Sequence, residues 1–406
     1  MTDEMPGRET HRTLALQGLR VLDLSRFIAG PLCAQNLADF GAEVIRVERP
    51  AGGDERRYPP LIKDLSLYIM AYNRNKLGIT LDTRHPRAVD ILRRLIAVSD
   101  VVVENYRPGT MQKMGLDWPE LHAINSRTIL TSISGWGQTG PNRHRAVFDA
   151  IAQAASGLMS RTGPEGTEPM LSGAYMADYT AASHATIGTL TALVARQYTG
   201  LGQHVDISLV DSLFSCMGTA PSAYALFGSD PPRLGNLDAI TVPANLYRAS
   251  DGYVYIHAGS DPLFPRLAQA MDRPDLAHDP RFRTHEDRIA HVRGIDGIVA
   301  EWVAGRTCDE VERTLGEVGV PCARAAQISD VTRSQQMVDR HMMVRVEHPD
   351  VSGGIPLIGQ PVKLSDTPAR ECTLAPGIGE HNKRVYGEIL GIDDDELSSL
   401  REDHVI

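Results

Sequence analysis

No run of apolar residues in this chain reaches the roughly 18 needed to cross a bilayer, so no membrane partner is expected. Positive charge is in deficit. Forty-one Lys and Arg stand against 51 Asp and Glu, a net charge of −10. That balance argues against non-specific nucleic-acid binding and leaves room only for local basic sites that hold small anions. The five cysteines, Cys33, Cys216, Cys308, Cys322 and Cys372, form no C-x-x-C pair and show no metal-ligand spacing. Isolated thiols of this kind read as reduced core residues, so a cytoplasmic setting without a bound metal is expected. The opening residues, MTDEMPGRETHRT, are polar and carry acids, unlike a secretory signal. G-x-S-x-G, H-E-x-x-H and Walker sequences are missing too, which lowers the serine hydrolase, zinc protease and P-loop readings.

What is present is an alternation of short apolar runs and amphipathic segments. LRVLDLS (19–25) reads as a strand, AGPLCAQNLADFGA (29–42) as a helix and EVIRVERP (43–50) as a second strand stopped by proline. The unit repeats in LGITLDT (77–83), HPRAVDILRRLIAVSD (85–100) and DVVVENY (100–106). A further strand, TILTSIS (128–134), and helices at 150–159 and 182–197 follow. Such alternation predicts an α/β fold with a parallel sheet covered by helices. At 406 residues two domains are the default. Near residue 225 turn formers gather in FGSDPPRLGN, and ANLYRASDGYVYIHAGS (244–260) reads as a β-hairpin with Asp251 and Gly252 at its turn. We therefore expect a large domain over 1–225, a smaller α+β domain over 226–330, and a C-terminal segment, 331–406, that returns to the large domain.

Three features carry candidate chemistry. GWGQTG (135–140) fits G-x-G-x-x-G after a strand, but Pro141 and NRHR follow at once, so it does not read as the start of a dinucleotide-binding helix. A tight glycine loop at a strand end still lets a ligand approach the backbone. Basic residues recur where strands are predicted to end, at Arg46 and Arg49, Arg74 and Lys76, and Arg107 and Lys113. Each alone is an ordinary surface charge, whereas together they suit a phosphate-bearing ligand. Asp178 stands among alanines in AYMADYTAASH, just ahead of an apolar helical run, where an Asp ordinarily caps the helix. His184, six residues on, falls on nearly the opposite side of a helix and forms no dyad with it.

Five ordered stretches, LRVLDLSRFIAGPLCAQNLADFGAEVIRVERPAGGDERR, NRNKLGITLD, DVVVENYRPGTMQKMGL, SISGWGQTGP and TGLGQHVDISLVDSL, resemble the class III coenzyme A-transferases, the carnitine dehydratase and bile-acid-inducible protein family. The resemblance implies a Rossmann-like large domain plus a small domain, in two subunits that interlock as a homodimer. It implies no permanently bound cofactor, a coenzyme A thioester and a small carboxylic acid as substrates, and Asp178 as the nucleophile that carries CoA as an aspartyl thioester. By the same resemblance Phe27, Ile28 and Ala29 line the CoA thiol arm, and Arg49 faces the adenine. Lys76, Asn105, Tyr106 and Lys113 hold the nucleotide end. Gly135, Trp136 and Gly137 supply an acyl or oxyanion loop. Phe148 stands where racemase members have a histidine, which argues against α-proton exchange, and oxalate-specific members carry a different loop from SGWGQTG. The expected reaction moves CoA from succinyl-CoA to a small dicarboxylic acid. A racemase or CoA-bound dehydratase of the same fold, and a non-catalytic CoA-binding protein, are the alternatives.

Overall fold

Six strands make one parallel sheet: β1 (Arg20–Asp23), β2 (Glu43–Glu48), β3 (Lys76–Thr80), β4 (Val101–Glu104), β5 (Ile129–Ser134) and β6 (His204–Ser208). Their spatial order is β3-β2-β1-β4-β5-β6. The structure, a computed structural model, describes residues 13–406 except Asp64 and Ala239; of the opening stretch read for a signal, only Thr13 lies among them. The helices that position the site are α1 (Ala29–Asp39), α2 (Leu67–Asn73), α3 (Ala88–Ala97), α4 (Asp149–Ala155) and α5 (Met176–Thr199).

Uninterrupted apolar runs such as Val101-Val102-Val103 suit a strand covered on both faces. The two-residue period then assigns each side chain to a face. Val101, Val103 and Ile129 join Val21 and Val44 under α1 and α5. Val102 and Leu130 join Leu22 and Ile45 under α3, whose Ile91, Leu92, Leu95 and Ile96 are almost wholly buried. Burying each of those four stabilises the layer by roughly 1.5–3 kcal/mol.

The strand order reverses between β1 and β4, so the segments that leave these strands diverge and open a crevice at their carboxyl ends. Residues 24–28 lead from β1 into α1 along one wall, and 105–108 leave β4 along the other. Asn105 ties the walls together. Its Oδ1 accepts the Arg26 N–H at 2.8 Å and its Nδ2 donates to the Arg26 carbonyl at 2.6 Å.

Of the described residues, those within 13–158, 171–218 and 336–406 form one compact unit, and those within 159–170 and 219–335 form a second. The C-terminal stretch contributes a hairpin, Met343–His348 with Val351–Ile358, packed with Ile69 and Met70 of α2. It also sends Val385, Tyr386, Leu397 and Leu400 into the core around α3. The second unit holds a three-stranded antiparallel sheet in which Ala244–Arg248 pairs with Tyr253–His257, and Cys322–Arg324 covers the other edge. Its buried Arg288 binds the carbonyls of Val242, Gly259 and Phe282 and so fastens three loops. Among the described residues no helix is long and apolar enough to cross a membrane.

Candidate active site

The structure moves the start of the helix that carries Asp178. The apolar spacing predicts a helix over 182–197, with Asp178 ahead of it as a cap. The helix runs Met176–Thr199, and Asp178 is its third residue. The first turns escaped the pattern because their buried face is built from alanines, Ala177, Ala181, Ala182 and Ala185, rather than from large apolar residues. Asp178 is therefore not the cap. That role falls to Asp149, in the first turn of α4. Its Oδ1 accepts the backbone N–H of Ala177 at 2.7 Å and of Asp178 at 3.3 Å, and its Oδ2 accepts Gln153 Nε2 at 2.6 Å. Gln153 Oε1 in turn receives the N–H and the hydroxyl of Ser172, which fixes the approach to α5.

Asp178 itself has no side-chain hydrogen bond or ion pair among the described residues. Burial pushes its carboxyl up to about 7, with the Asp149 charge as the second cause. A half-buried carboxylate without a partner is costly, and such groups concentrate at functional sites. It opens on a cavity of about 200 Å³ that is also lined by Phe27, Ala29, Asn105, Tyr106, Gly135 and Phe148. Phe27 reaches this wall with its backbone in the left-handed region (φ 65°). Such a conformation costs on the order of 1 kcal/mol and is held only by its surroundings. Here the Glu55 carboxylate accepts the Phe27 N–H at 3.2 Å, and the ring meets Phe148 edge to face at 5.9 Å.

The glycine loop does not open a helix; turns follow it, and α4 begins only at Asp149. It is pinned from β6. Asp206 accepts the Gln138 N–H at 3.0 and 3.1 Å, and the Gly135 carbonyl receives Val210 N and Ser208 Oγ, each at 3.2 Å. Gly137 needs its glycine, at φ 80°, and a Cβ on Gly135 would lie 2.4 Å from that of Val147. Trp136 packs below Arg145, whose guanidinium stands 5.6 Å from the ring centre.

Of the remaining expected residues, Tyr106 also borders a neighbouring cleft of about 80 Å³ with Arg26, Arg46 and the exposed Arg49. Lys113 is exposed at the end of the short helix Thr110–Lys113. Ile28 is buried at the start of α1 and does not line the cavity beside Asp178.

Lys76 has a different place from the one expected. It opens β3 rather than following a strand, and its side chain is fully buried. Its Nζ lies 2.8 Å from Asp23 Oδ2, 2.8 Å from the Pro31 carbonyl and 2.9 Å from Asn73 Oδ1. Burial pulls it down to about 8 against the attraction of Asp23, so it stays charged at neutral pH. All three donors are taken, and none is left for a phosphate. Arg74 is likewise committed to Asp39, at 2.7 and 3.2 Å, and Arg46 is buried within β2.

This chain matches the model of CoA-transferase family III over residues 16–382 and belongs to that family. It is an enzyme of the class III CoA-transferase type. A succinyl-CoA:D-citramalate CoA-transferase of Chloroflexus aurantiacus is 39% identical over 96% of this chain and 98% of that protein. The beta subunit of a succinyl-CoA:L-malate CoA-transferase of the same organism is 37% identical over 98% and 99%. A crystal structure of a CAIB/BAIF family protein from Brucella suis superposes with a TM-score of 0.83, at 33% identity, over 93% of this chain and 100% of that one.

Proposed function

We propose that this protein transfers CoA from succinyl-CoA to a small dicarboxylic acid, with Asp178 as the nucleophile. The observation that carries the reading is the Asp178 carboxylate, unpaired on the first turn of α5 and open to a cavity walled by a glycine loop. A carboxylate oxygen attacks the thioester carbonyl, the C–S bond breaks, and a mixed anhydride forms. The CoA thiolate then attacks the aspartyl carbonyl and releases succinate, which leaves an aspartyl-CoA thioester. The acceptor carboxylate attacks that thioester, and the freed thiolate takes the acceptor's acyl group and restores Asp178. Each step exchanges one activated acyl bond for another, so no nucleotide hydrolysis is required.

The environment fits these demands. Apolar neighbours such as Phe27, Ala29 and Phe148 keep water from an anhydride, and the rigidly held Gly135 loop offers backbone dipoles to the developing oxyanion. Exposed Arg49 faces the adenine and exposed Lys113 meets the nucleotide phosphates, whereas Lys76 is withdrawn from that role. The preference for succinyl-CoA and a diacid follows the relatives named above. An exposed apolar row along α5, Ile187, Val194 and Tyr198, supports assembly as a homodimer.

The test is a screen. Succinyl-CoA is mixed with single acids and the products are read as new CoA thioesters by mass spectrometry. Formation of a diacid thioester with equimolar release of succinate supports the reading. Hydrolysis of succinyl-CoA without transfer to any acid contradicts it.

A further inference from the structure

The cavity on which Asp178 opens carries two cations as well as the nucleophile, for Arg107 and Arg145 both line it. Both are exposed, and neither guanidinium has a hydrogen bond or ion pair among the described residues. Neither is spent on Asp178. No cation stands among the causes that move its carboxyl, and none among the described residues lies within ion-pair distance of it. The two arginines differ in their surroundings. Arg107 follows Tyr106 out of β4 and also borders a second cleft, of about 230 Å³, with Gln112 of the short helix that ends at Lys113. It therefore stands on the side assigned above to the nucleotide end of CoA. Arg145 lies on the segment that continues the glycine loop towards α4, with its guanidinium over the Trp136 ring at 5.6 Å from the centre. Stacking on an indole face holds a guanidinium in place and leaves its N–H groups free at the edge.

We propose that Arg145 binds the distal carboxylate shared by a succinyl donor and a diacid acceptor, and so selects diacids over monoacids. The inference rests on the transfer reaction proposed above. A diacid brings one more carboxylate than the reaction consumes, into a cavity that already holds the Asp178 carboxylate between apolar walls such as Phe27 and Phe148. A second anion there is repelled by the first and loses hydration, so it needs a cation of its own. A guanidinium meets a carboxylate through two parallel N–H donors, which fixes the orientation of the acid as well as balancing its charge. The loop then grips the substrate at two points. Its glycines serve the carboxyl that reacts with Asp178, and Arg145 takes the carboxylate that does not. A monoacid leaves Arg145 in water and gains nothing from it.

In a ping-pong reaction kcat/KM for the acceptor reports only the half-reaction that uses it. The measurement is therefore the ratio of kcat/KM for the diacid best accepted in the screen to that for the monoacid of equal chain length. It is made on the full chain, on Arg145→Gln and on Arg107→Gln. The expected result is a high ratio in the parent that falls on the order of 10- to 100-fold in Arg145→Gln, through loss of the diacid value alone. Arg107→Gln should keep the ratio of the parent. A parent that does not discriminate overturns the proposal, as does an unchanged ratio or an equal fall for both acids in Arg145→Gln. So does a loss of the ratio in Arg107→Gln as large as that in Arg145→Gln. The underlying transfer reading fails separately, if Asp178→Asn remains active; Arg145→Gln, in a working transferase, still forms the aspartyl adduct from saturating succinyl-CoA.

Discussion

Removing the charge of Asp149 while keeping an acceptor for the helix tests how the site sets the ionisation of its nucleophile. Asp149→Asn retains an oxygen for the Ala177 N–H, now 2.7 Å from Asp149 Oδ1, but takes away the second cause of the raised Asp178 carboxyl. Burial, the first cause, stays. Loss of one neighbouring like charge lowers a carboxyl pKa by on the order of one unit, or about 1.4 kcal/mol between its two forms. Asp178 must be ionised to attack, so the rate of succinate release in the first half-reaction should rise with unit slope through the value of about 7 and then level off. In Asp149→Asn that limb should move about one unit to the acid side. If the limb moves from about 7 to about 6, the ionised fraction at pH 6 goes from roughly one-tenth to one-half, an increase of about fivefold. Above pH 8 both proteins are ionised, and the variant should be no faster. Rapid-quench measurement of succinate release from pH 5 to 9 reads both limbs. An unmoved limb, or one displaced to the alkaline side, would refute the electrostatic role given to Asp149.

The same raised carboxyl makes a prediction about stability, with the sign opposite to that of a salt-bridged acid. Ionising Asp178 costs the folded state, so the penalty appears as pH rises from 3.8 towards about 7. Asp178→Asn should thus be the more stable protein at pH 8, by on the order of 2–4 kcal/mol, with the gain absent below pH 4; denaturant unfolding at the two pH values checks this. Lys76→Met should destabilise by about 3–5 kcal/mol, because it strands Asp23 in the core. Lys113→Ala should leave folding intact and weaken calorimetric binding of free CoA. Gly135→Ala should lower turnover at least tenfold with little change in far-ultraviolet dichroism, since the loop must shift to clear Val147; unaltered turnover would remove the loop from the reaction.

The sheet was legible because its signals are local. Val101-Val102-Val103 reads as a buried strand from its valines, and the spacing of Val89, Leu92 and Ile96 marks α3, although Ile91 and Leu95 are buried beside Leu92 and Ile96 and Val89 is only half-buried. The true start of α5 was hidden because alanines bury a helix face without marking it. Sites made by distant partners were hidden for another reason. Lys76 looks like a ligand-binding lysine until Asp23, 53 residues away, is seen to hold it. Asp149 caps a helix 28 residues further on, and Tyr72 meets Tyr179 across 107 positions. No periodicity reports such pairings. Asp178 was noticed for its unusual surroundings, and its residue type fitted both a cap and a nucleophile. The hydrogen bonds of Asp149 removed the first of these.

The central claim is that Asp178 carries the CoA group, and trapping tests it most directly. The protein is incubated with succinyl-CoA and no acceptor, then treated with neutral hydroxylamine and digested. An aspartyl-CoA thioester becomes a hydroxamate, so the account predicts a single modified peptide with the mass change at residue 178, absent from Asp178→Asn. A hydroxamate on another carboxylate, or undiminished turnover by Asp178→Asn, would contradict it.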